Sequence, residues 1–354
     1  MKIKINIGNA AFGRYMAVML TALLMTLSSC SLVYEDDLQP CYFVHLNYDY
    51  NLKNADATAA EVEEANIYLF DERGNLVWES GLLKGDELRA SNYTVQLPVD
   101  PGTYHIIAWA GTSDQGSFEL QRINMDYSLA KEELKQHLKL TRASDDNLYH
   151  DKKLDRLFHG ADEKLVLEPG QFKVHNLRLV KDTNHVQVML NNVDGSELDP
   201  DQFHFEIEAD NSRLAHDNMP IPFARHKSHC FAKRFFTTDE EGDMGRLTRS
   251  LNKVQTKVTG VVAEHSISRI MENEDMRLRV YHGEDRDKII DIPLRKYLAA
   301  SKGDSYSHMS DQEYLDRQDE YHVVFFLDHN NKWDKTLCIY INNWRVVPDQ
   351  EEDL

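Results

Sequence analysis

Apolar and polar residues alternate with a period of two along most of the chain. Val44, Leu46, Tyr48 and Tyr50 fall on one face of a strand, and Ala65, Ile67 and Leu69 repeat the pattern. Asp71-Glu-Arg-Gly74 predicts a turn into Leu76-Val-Trp78. Tyr93, Val95 and Leu97 alternate before Pro98-Val-Asp-Pro-Gly102. Tyr104, Ile106 and Ala108 then share one face, with Ile107 and Trp109 on the other. Successive side chains of a strand point to opposite faces, so each run offers one face to a core. Runs bounded by Gly, Pro and Asp turns predict an all-β chain built as an antiparallel sandwich.

The middle is less regular. Ser128–Leu138 reads as a short helix, because Leu134 and Leu138 lie about one turn apart. Asp145–Gly160 reads as a polar loop, and Leu165–Val180 as a hairpin around Glu168-Pro-Gly-Gln171. Lys181-Asp-Thr-Asn184 interrupts the pattern and marks a boundary between two domains of ordinary size, 42–181 and 182–354. Val44, Ile67, Val95 and Ile106 are expected in one core, and Val188, Phe205, Val280 and Val324 in the other. Residues 210–250 give no clear pattern. Strands resume at Val254–Val262, Met276–Val280 and Ile289–Ile292. Asp311–Glu320 is a charged helix or loop. Val323–Leu327 and Leu337–Ile341 are strands, followed by Trp344-Arg-Val-Val347 and an acidic tail.

The N-terminus departs from this plan. Lys2, Lys4 and Arg14 precede an apolar run, Tyr15–Leu27. That run is shorter than the ~20 apolar residues of a comfortable membrane span. A basic start, a short apolar core and small residues at its exit are the marks of a signal peptide, here 1–29. Leu27-Ser28-Ser29-Cys30 resembles the lipobox of bacterial lipoproteins, in which the cysteine takes a diacylglycerol before cleavage. Acylation of the palmitate class at Cys30 contributes roughly 0.8 kcal/mol per buried methylene, so two or three chains hold a soluble body firmly on a bilayer. Residues 30–41 are then a lipidated tether. Its acidic cluster Glu35-Asp36-Asp37 resembles the surface-export signal of Bacteroidales-type lipoproteins.

Charge narrows the partners. The chain has 40 Lys+Arg against 59 Asp+Glu. Without the three basic residues of 1–29, the remainder carries 37 against 59, a formal −22. A nucleic-acid binder needs a basic surface, so the charge argues against that class. Beyond Cys30 stand Cys41, Cys230 and Cys338, an odd number too widely spread for a disulfide framework. Cys338 is expected in a core, within Leu337-Cys-Ile-Tyr-Ile341.

No phosphate loop, dinucleotide fingerprint or nucleophile elbow is present. His226-Lys-Ser-His229-Cys230 is the nearest approach to a metal cluster, but it lacks a second half at zinc-site spacing. Asp194–Asp199 lacks the spacing of a calcium loop. Scattered acids show no carboxylate pair of the kind glycoside hydrolysis needs. No catalytic residue, metal or cofactor is expected beyond the covalent lipid on Cys30. Trp78, Trp109, Trp333 and Trp344 lie in or beside strands and are expected mostly in cores.

A set of short strings then acquires meaning through its order. Cys30-Ser-Leu-Val-Tyr-Glu-Asp-Asp37 leads to Val44-His-Leu-Asn-Tyr-Asp-Tyr50, Ile67-Tyr-Leu-Phe-Asp71, Pro101-Gly-Thr-Tyr104 and Ala108-Trp-Ala-Gly111. Leu157-Phe-His-Gly160, Leu179-Val-Lys-Asp-Thr-Asn184, Val324-Phe-Phe-Leu-Asp328 and Ile341-Asn-Asn-Trp344 follow. In this order, along most of the mature chain, they resemble the FimB-like anchor lipoproteins of Bacteroidales-type fimbriae, the minor-fimbria anchor group of type V pili. The resemblance implies two tandem transthyretin-like β-sandwiches. It implies a non-enzymatic protein of the outer membrane that holds a fimbrial shaft to the cell surface and limits its length. Tip adhesins and surface glycan- or host-binding lipoproteins on the same fold are the alternative. The resemblance implies that shaft subunits lose an N-terminal strand and accept a neighbour's strand in the groove it leaves. Here the first strand lies close behind the tether, so it should stay in its own sheet. Pairing with the shaft by strand addition then needs another edge. The C-terminal Ile339, Ile341 and Trp344 are the candidates, against the simpler expectation that they complete the second sandwich.

Overall fold

The computed structural model describes residues 41–85, 88–90, 93–112, 115–121, 130–144, 147–192, 195–237, 259–335, 339–342 and 344–346. The signal peptide, lipobox, acidic cluster and residues 30–40 of the tether fall outside them, as does Cys338; Cys41, read as the tether's end, already belongs to the first strand. No helix among the described residues is long and apolar enough to cross a membrane.

Two β-sandwiches follow from the alternating runs. In the first, Phe172–Arg178, Cys41–Asn47 and Val95–Leu97 form a three-stranded sheet in that spatial order. It packs on a second sheet, in the order Val180–Lys181, Phe158–Leu167, Gly102–Ala110, Glu64–Asp71 and Leu76–Glu79. Tyr42, Val44 and Leu46 meet Ile67, Leu69, Ile106 and Ala108 in the core between them, with Val95 at its margin. The turn at Asp71–Gly74 forms as expected: Asp71 Oδ1 accepts from the backbone N–H of Arg73 and Asn75, and Gly74 takes φ +81°. The other face of the second sheet is covered too. Tyr68, Phe70, Ile107 and Trp109 pack under Phe118, Leu134 and Leu138. A small sheet of Arg213–Leu214, Lys135–Leu138 and Phe118–Gln121 carries that cover.

The second sandwich pairs two six-stranded sheets. One runs Asp287–Ile292, Arg277–His282, Phe203–Ala209, His226–His229, Leu148–His150, Thr141–Arg142. The other runs Ala232–Thr237, Thr259–Ser268, Thr183–Asn192, Glu320–Leu327, Ile339–Ile341, Trp344–Val346. Val186, Val188 and Leu190 face Phe205, Ile207, Leu278 and Val280 across the core. The helices Leu294–Ala300 and Asp311–Arg317 add Leu294, Leu298, Tyr314 and Leu315 to it. Asp311–Arg317 is capped by Ser310, whose hydroxyl accepts from Glu313 N–H at 3.0 Å.

Several expectations change. Lys135–Leu138 is a strand, not part of a helix. Leu134 and Leu138 are four apart, a spacing that fits a period of two as well as 3.6, and the buried Gln136 between them hid the alternation. Phe158–Leu167 and Phe172–Arg178 lie in opposite sheets, so Glu168–Gln171 is an arch rather than a hairpin turn. Tyr42 pins it by donating its hydroxyl proton to the Glu168 carbonyl at 2.6 Å. Val324 lies on the outer face of its sheet with Met189, Phe236 and Val262, because its strand is apolar on both faces. Pairing is not purely antiparallel: Cys41–Asn47 with Phe172–Arg178, Leu148–His150 with His226–His229, and Thr183–Asn192 with Glu320–Leu327 are parallel.

At the junction, Lys181 ends a strand of the first sandwich and Thr183 begins one of the second. Residues 141–150, read as part of the first domain and its polar loop, instead supply two strands to the second sandwich. In return Arg213–Leu214 pairs with Lys135–Leu138 over the first.

Candidate assembly surface

A β-sandwich can take up a partner strand only at a sheet edge, where backbone N–H and C=O groups remain to be paired. Cys41–Asn47 is paired on both sides, along its whole length with Phe172–Arg178 and over Tyr42–Val44 with Val95–Leu97. The first strand thus sits in its own sheet, and its inward Tyr42, Val44 and Leu46 fill the place where a groove would open.

The C-terminal segment is divided. Ile339–Ile341 pairs with Glu320–Leu327, and both isoleucines are fully buried in the second core. Trp344 opens the edge strand Trp344–Val346 and is 42% exposed, its ring against Gly303. Of the other tryptophans, Trp109 and Trp333 are buried and Trp78 packs against the first core.

A second edge has a different character. Phe172–Arg178 is seven residues long, in unbroken register with its neighbour, and terminal in its sheet. Its outward side chains include Phe172 at 71% exposure and Val174 at 41%. Phe43 on the adjoining strand stands 5.5 Å from the Phe172 ring, extending the apolar strip. The inward positions hold the strand down. Leu177 enters the core, Lys173 Nζ donates to the Val166 carbonyl at 2.6 Å, and His175 Nε2 lies 3.5 Å from Asp162. Burial lowers the His175 pKa. Natural edges of this length are usually guarded by outward charge, bulges or proline; here the first three outward positions are Phe172, Val174 and Asn176.

The sandwiches meet around buried charge. Arg269 makes two hydrogen bonds to Asp316, Nε to Oδ1 and Nη2 to Oδ2, both 2.9 Å. Its Nη1 donates to the Asn218 carbonyl at 2.5 Å, and Nε lies 3.7 Å from Asp182 Oδ1. Asn218 Nδ2 donates to the same Asp182 oxygen at 2.8 Å. Asp182 is fully buried, and desolvation pushes its pKa up to about 7 despite Arg269. Beside it Lys181 Nζ bridges Glu61, at 2.7 Å, and Asp319. Lys181, Glu61 and Asp319 border a cleft of about 450 Å³ that Tyr48, Asn51 and Lys53 also line.

Neither the charge network nor the exposed edge has a local signal in the sequence. Arg269 and Asp182 are too far apart in the chain for one. Phe172 and Val174 alternate like core residues, and only the three-stranded width of their sheet turns them outward.

Comparison with known proteins adds a family. The model of the fimbrillin-A associated anchor proteins Mfa1 and Mfa2 matches residues 36–349. A candidate adhesin from Bacteroides thetaiotaomicron is 30% identical over 88% of this chain and 100% of its own, with a TM-score of 0.75. A candidate polysaccharide-binding protein from the same organism is 26% identical over 89% and 100%, with a TM-score of 0.72. The fimbrial anchor protein Mfa2 from Porphyromonas gingivalis shares the fold at 16% identity, covering 88% and 100%, with a TM-score of 0.63. No curated protein sequence matches the chain.

Proposed function

From its membership of the fimbrillin-A associated anchor proteins, to which this chain belongs, we propose that it tethers a fimbrial shaft to the outer membrane without catalysing a reaction. A lipid on Cys30 holds one end, and Glu35, Asp36 and Asp37 direct the body to the cell surface. The shaft joins by adding a strand along Phe172–Arg178. The observation that carries this reading is the long apolar edge, with Phe172 and Val174 exposed beside unpaired backbone. Donation of the C-terminal strand is the costlier route. It would withdraw Ile339 and Ile341 from the core, on the order of 3–6 kcal/mol by side-chain burial.

Two measurements test it. Cys30→Ala will move the protein from the membrane fraction to the soluble fraction and leave its melting temperature unchanged, because the acyl chains attach only there. A variant that still sediments with membranes after a salt wash contradicts lipid anchoring. Phe172→Glu with Val174→Glu will shed shafts into the medium while the anchor stays on cells. Stability should change by no more than about 1 kcal/mol, as for other exposed positions. Shafts retained on such cells rule out this edge.

The polar cleft between the sandwiches favours a second reading, binding of a surface glycan. Saturable binding of a polysaccharide fragment, lost on Asn51→Ala, would support it.

A further inference from the structure

We propose that His204, Glu206 and His229 form a zinc site on the outer face of the second sandwich. The topology builds it from two adjacent strands. His204 and Glu206 are two residues apart on Phe203–Ala209 and share a face. The intervening positions, Phe203, Phe205 and Ile207, fill the core. Glu206 lies directly opposite His229 on the antiparallel strand His226–His229. One ring nitrogen from each histidine and one carboxylate oxygen lie within 4.8 Å of one another. Of the string His226-Lys-Ser-His229-Cys230 only His229 takes part, and its two companions come from across the sheet.

Three further observations support a ligand. First, His204 Nε2 and His229 Nδ1 are buried atoms with no hydrogen-bond partner, a state that natural interiors rarely leave unresolved. Second, the rings of His204 and His229 stand 5.1 Å apart, centroid to centroid, so both reach the same space beside Glu206. Third, the carboxylate is already oriented. Glu206 is 3% exposed, accepts from the Tyr281 hydroxyl at 2.9 Å on Oε1 and pairs with Lys227 Nζ at 3.0 Å on Oε2. A carboxylate has about four lone-pair positions, so both bonds can persist while one lone pair turns to a metal. The Tyr281 bond then fixes the ligand's direction from outside, while the Lys227 ammonium sets a like charge beside the metal.

Two imidazoles with one carboxylate match zinc, which takes nitrogen and oxygen at about 2.0–2.2 Å in a tetrahedron. Ligand atoms must close to about 3.3 Å apart. Both histidines are only half-buried, so rotation of their rings suffices. Three protein ligands leave one position for water. The charged groups facing the site are Lys227, Arg279, Arg286 and Asp151. Arg279 is neutralised by Glu208 at 2.6 Å and Asp291 at 3.5 Å. Lys227 opposes a dication most directly and sets an affinity below that of a closed structural site. Bound zinc would staple His226–His229, which also receives Leu148–His150, to the central strand of the sheet.

Titration of zinc chloride into the metal-stripped, purified mature chain tests this by calorimetry, with a thermal melt as the second readout. One equivalent should bind saturably and raise the melting temperature. His204→Ala and Glu206→Gln should each weaken binding by about 100-fold or more. His204→Gln replaces the alanine variant if that one does not fold, as judged by circular dichroism without metal. Lys227→Met changes no ligand and should tighten binding by about tenfold, since it removes a charge beside the metal. Absence of saturable binding overturns the site. So does binding that survives His204 substitution or ignores Lys227→Met, which would assign the zinc to other histidines.

Discussion

Replacing Arg269 with alanine will lower the unfolding free energy by about 3–5 kcal/mol, the usual cost of orphaning buried charge. The guanidinium is the only cation among the described residues that contacts both Asp182 and Asp316. Without it, two carboxylates stand buried at the junction, and the Asn218 carbonyl loses a donor. Urea unfolding at pH 7.5 measures the loss. A change below about 1 kcal/mol would mean that water enters the junction and replaces the ion pair. Arg269→Met combined with Asp182→Asn and Asp316→Asn should recover most of the stability, because no unpaired charge then remains.

Acid will weaken the fold well before its surface carboxylates titrate. Burial holds His159, His226 and His265 down at about 3. Unfolded histidine titrates near 6.5. A lowered histidine leaves stability intact above that unfolded value and removes it as the pH falls below. Asp182 and Glu274, raised to about 7 by burial, act in the opposite sense, because the folded state takes up their protons first. Among these five groups, three histidines against two acids leave a net of about one proton near pH 5.5, a slope of about 1 kcal/mol per pH unit, and the other lowered histidines act in the same sense. Below about pH 4.5 the unfolded acids titrate as well and the slope from these five steepens to about 2–3 kcal/mol per unit. By pH 4 the cumulative loss should reach at least about 3 kcal/mol, with a plateau above pH 7. Urea midpoints from pH 8 to 4 measure it. Constant stability over that range would show these rings to be hydrated.

The strands with one clean apolar face are legible in the amino-acid sequence alone. Val44 to Tyr48, Ala65 to Leu69, Val186 to Leu190 and Phe203 to Ile207 alternate because one side meets a core, and period two records that directly. The pattern fails where both faces are covered. Tyr68, Phe70, Ile107 and Trp109 are as buried as their neighbours because a third sheet lies over them, and Val324 is turned outward among Met189, Phe236 and Val262 of its own sheet. It fails again where a strand is too short to alternate, as at Leu148–His150. Periodicity also says which residues share a face, never which strand lies alongside. The parallel neighbour of Cys41–Asn47, the arch at Glu168 and the meeting of His204 with His229 are all facts of pairing. The family is legible because the order of many weak strings carries information that no single string holds. The charge at Asp182, Arg269 and Asp316 is not, since its members come from three separate segments.

The central place of Cys41–Asn47 in its sheet bears on how load would travel from membrane to shaft. A tether pulling from Cys41 draws the strand along its own axis, so its hydrogen bonds to the two flanking strands are stressed together, in shear, rather than peeled singly. With the shaft strand added to the far side of Phe172–Arg178, force would cross from lipid to shaft through two pairings in series, the first of them the seven-residue parallel one. The second sandwich would lie off that line, free of tension however hard the fimbria is pulled.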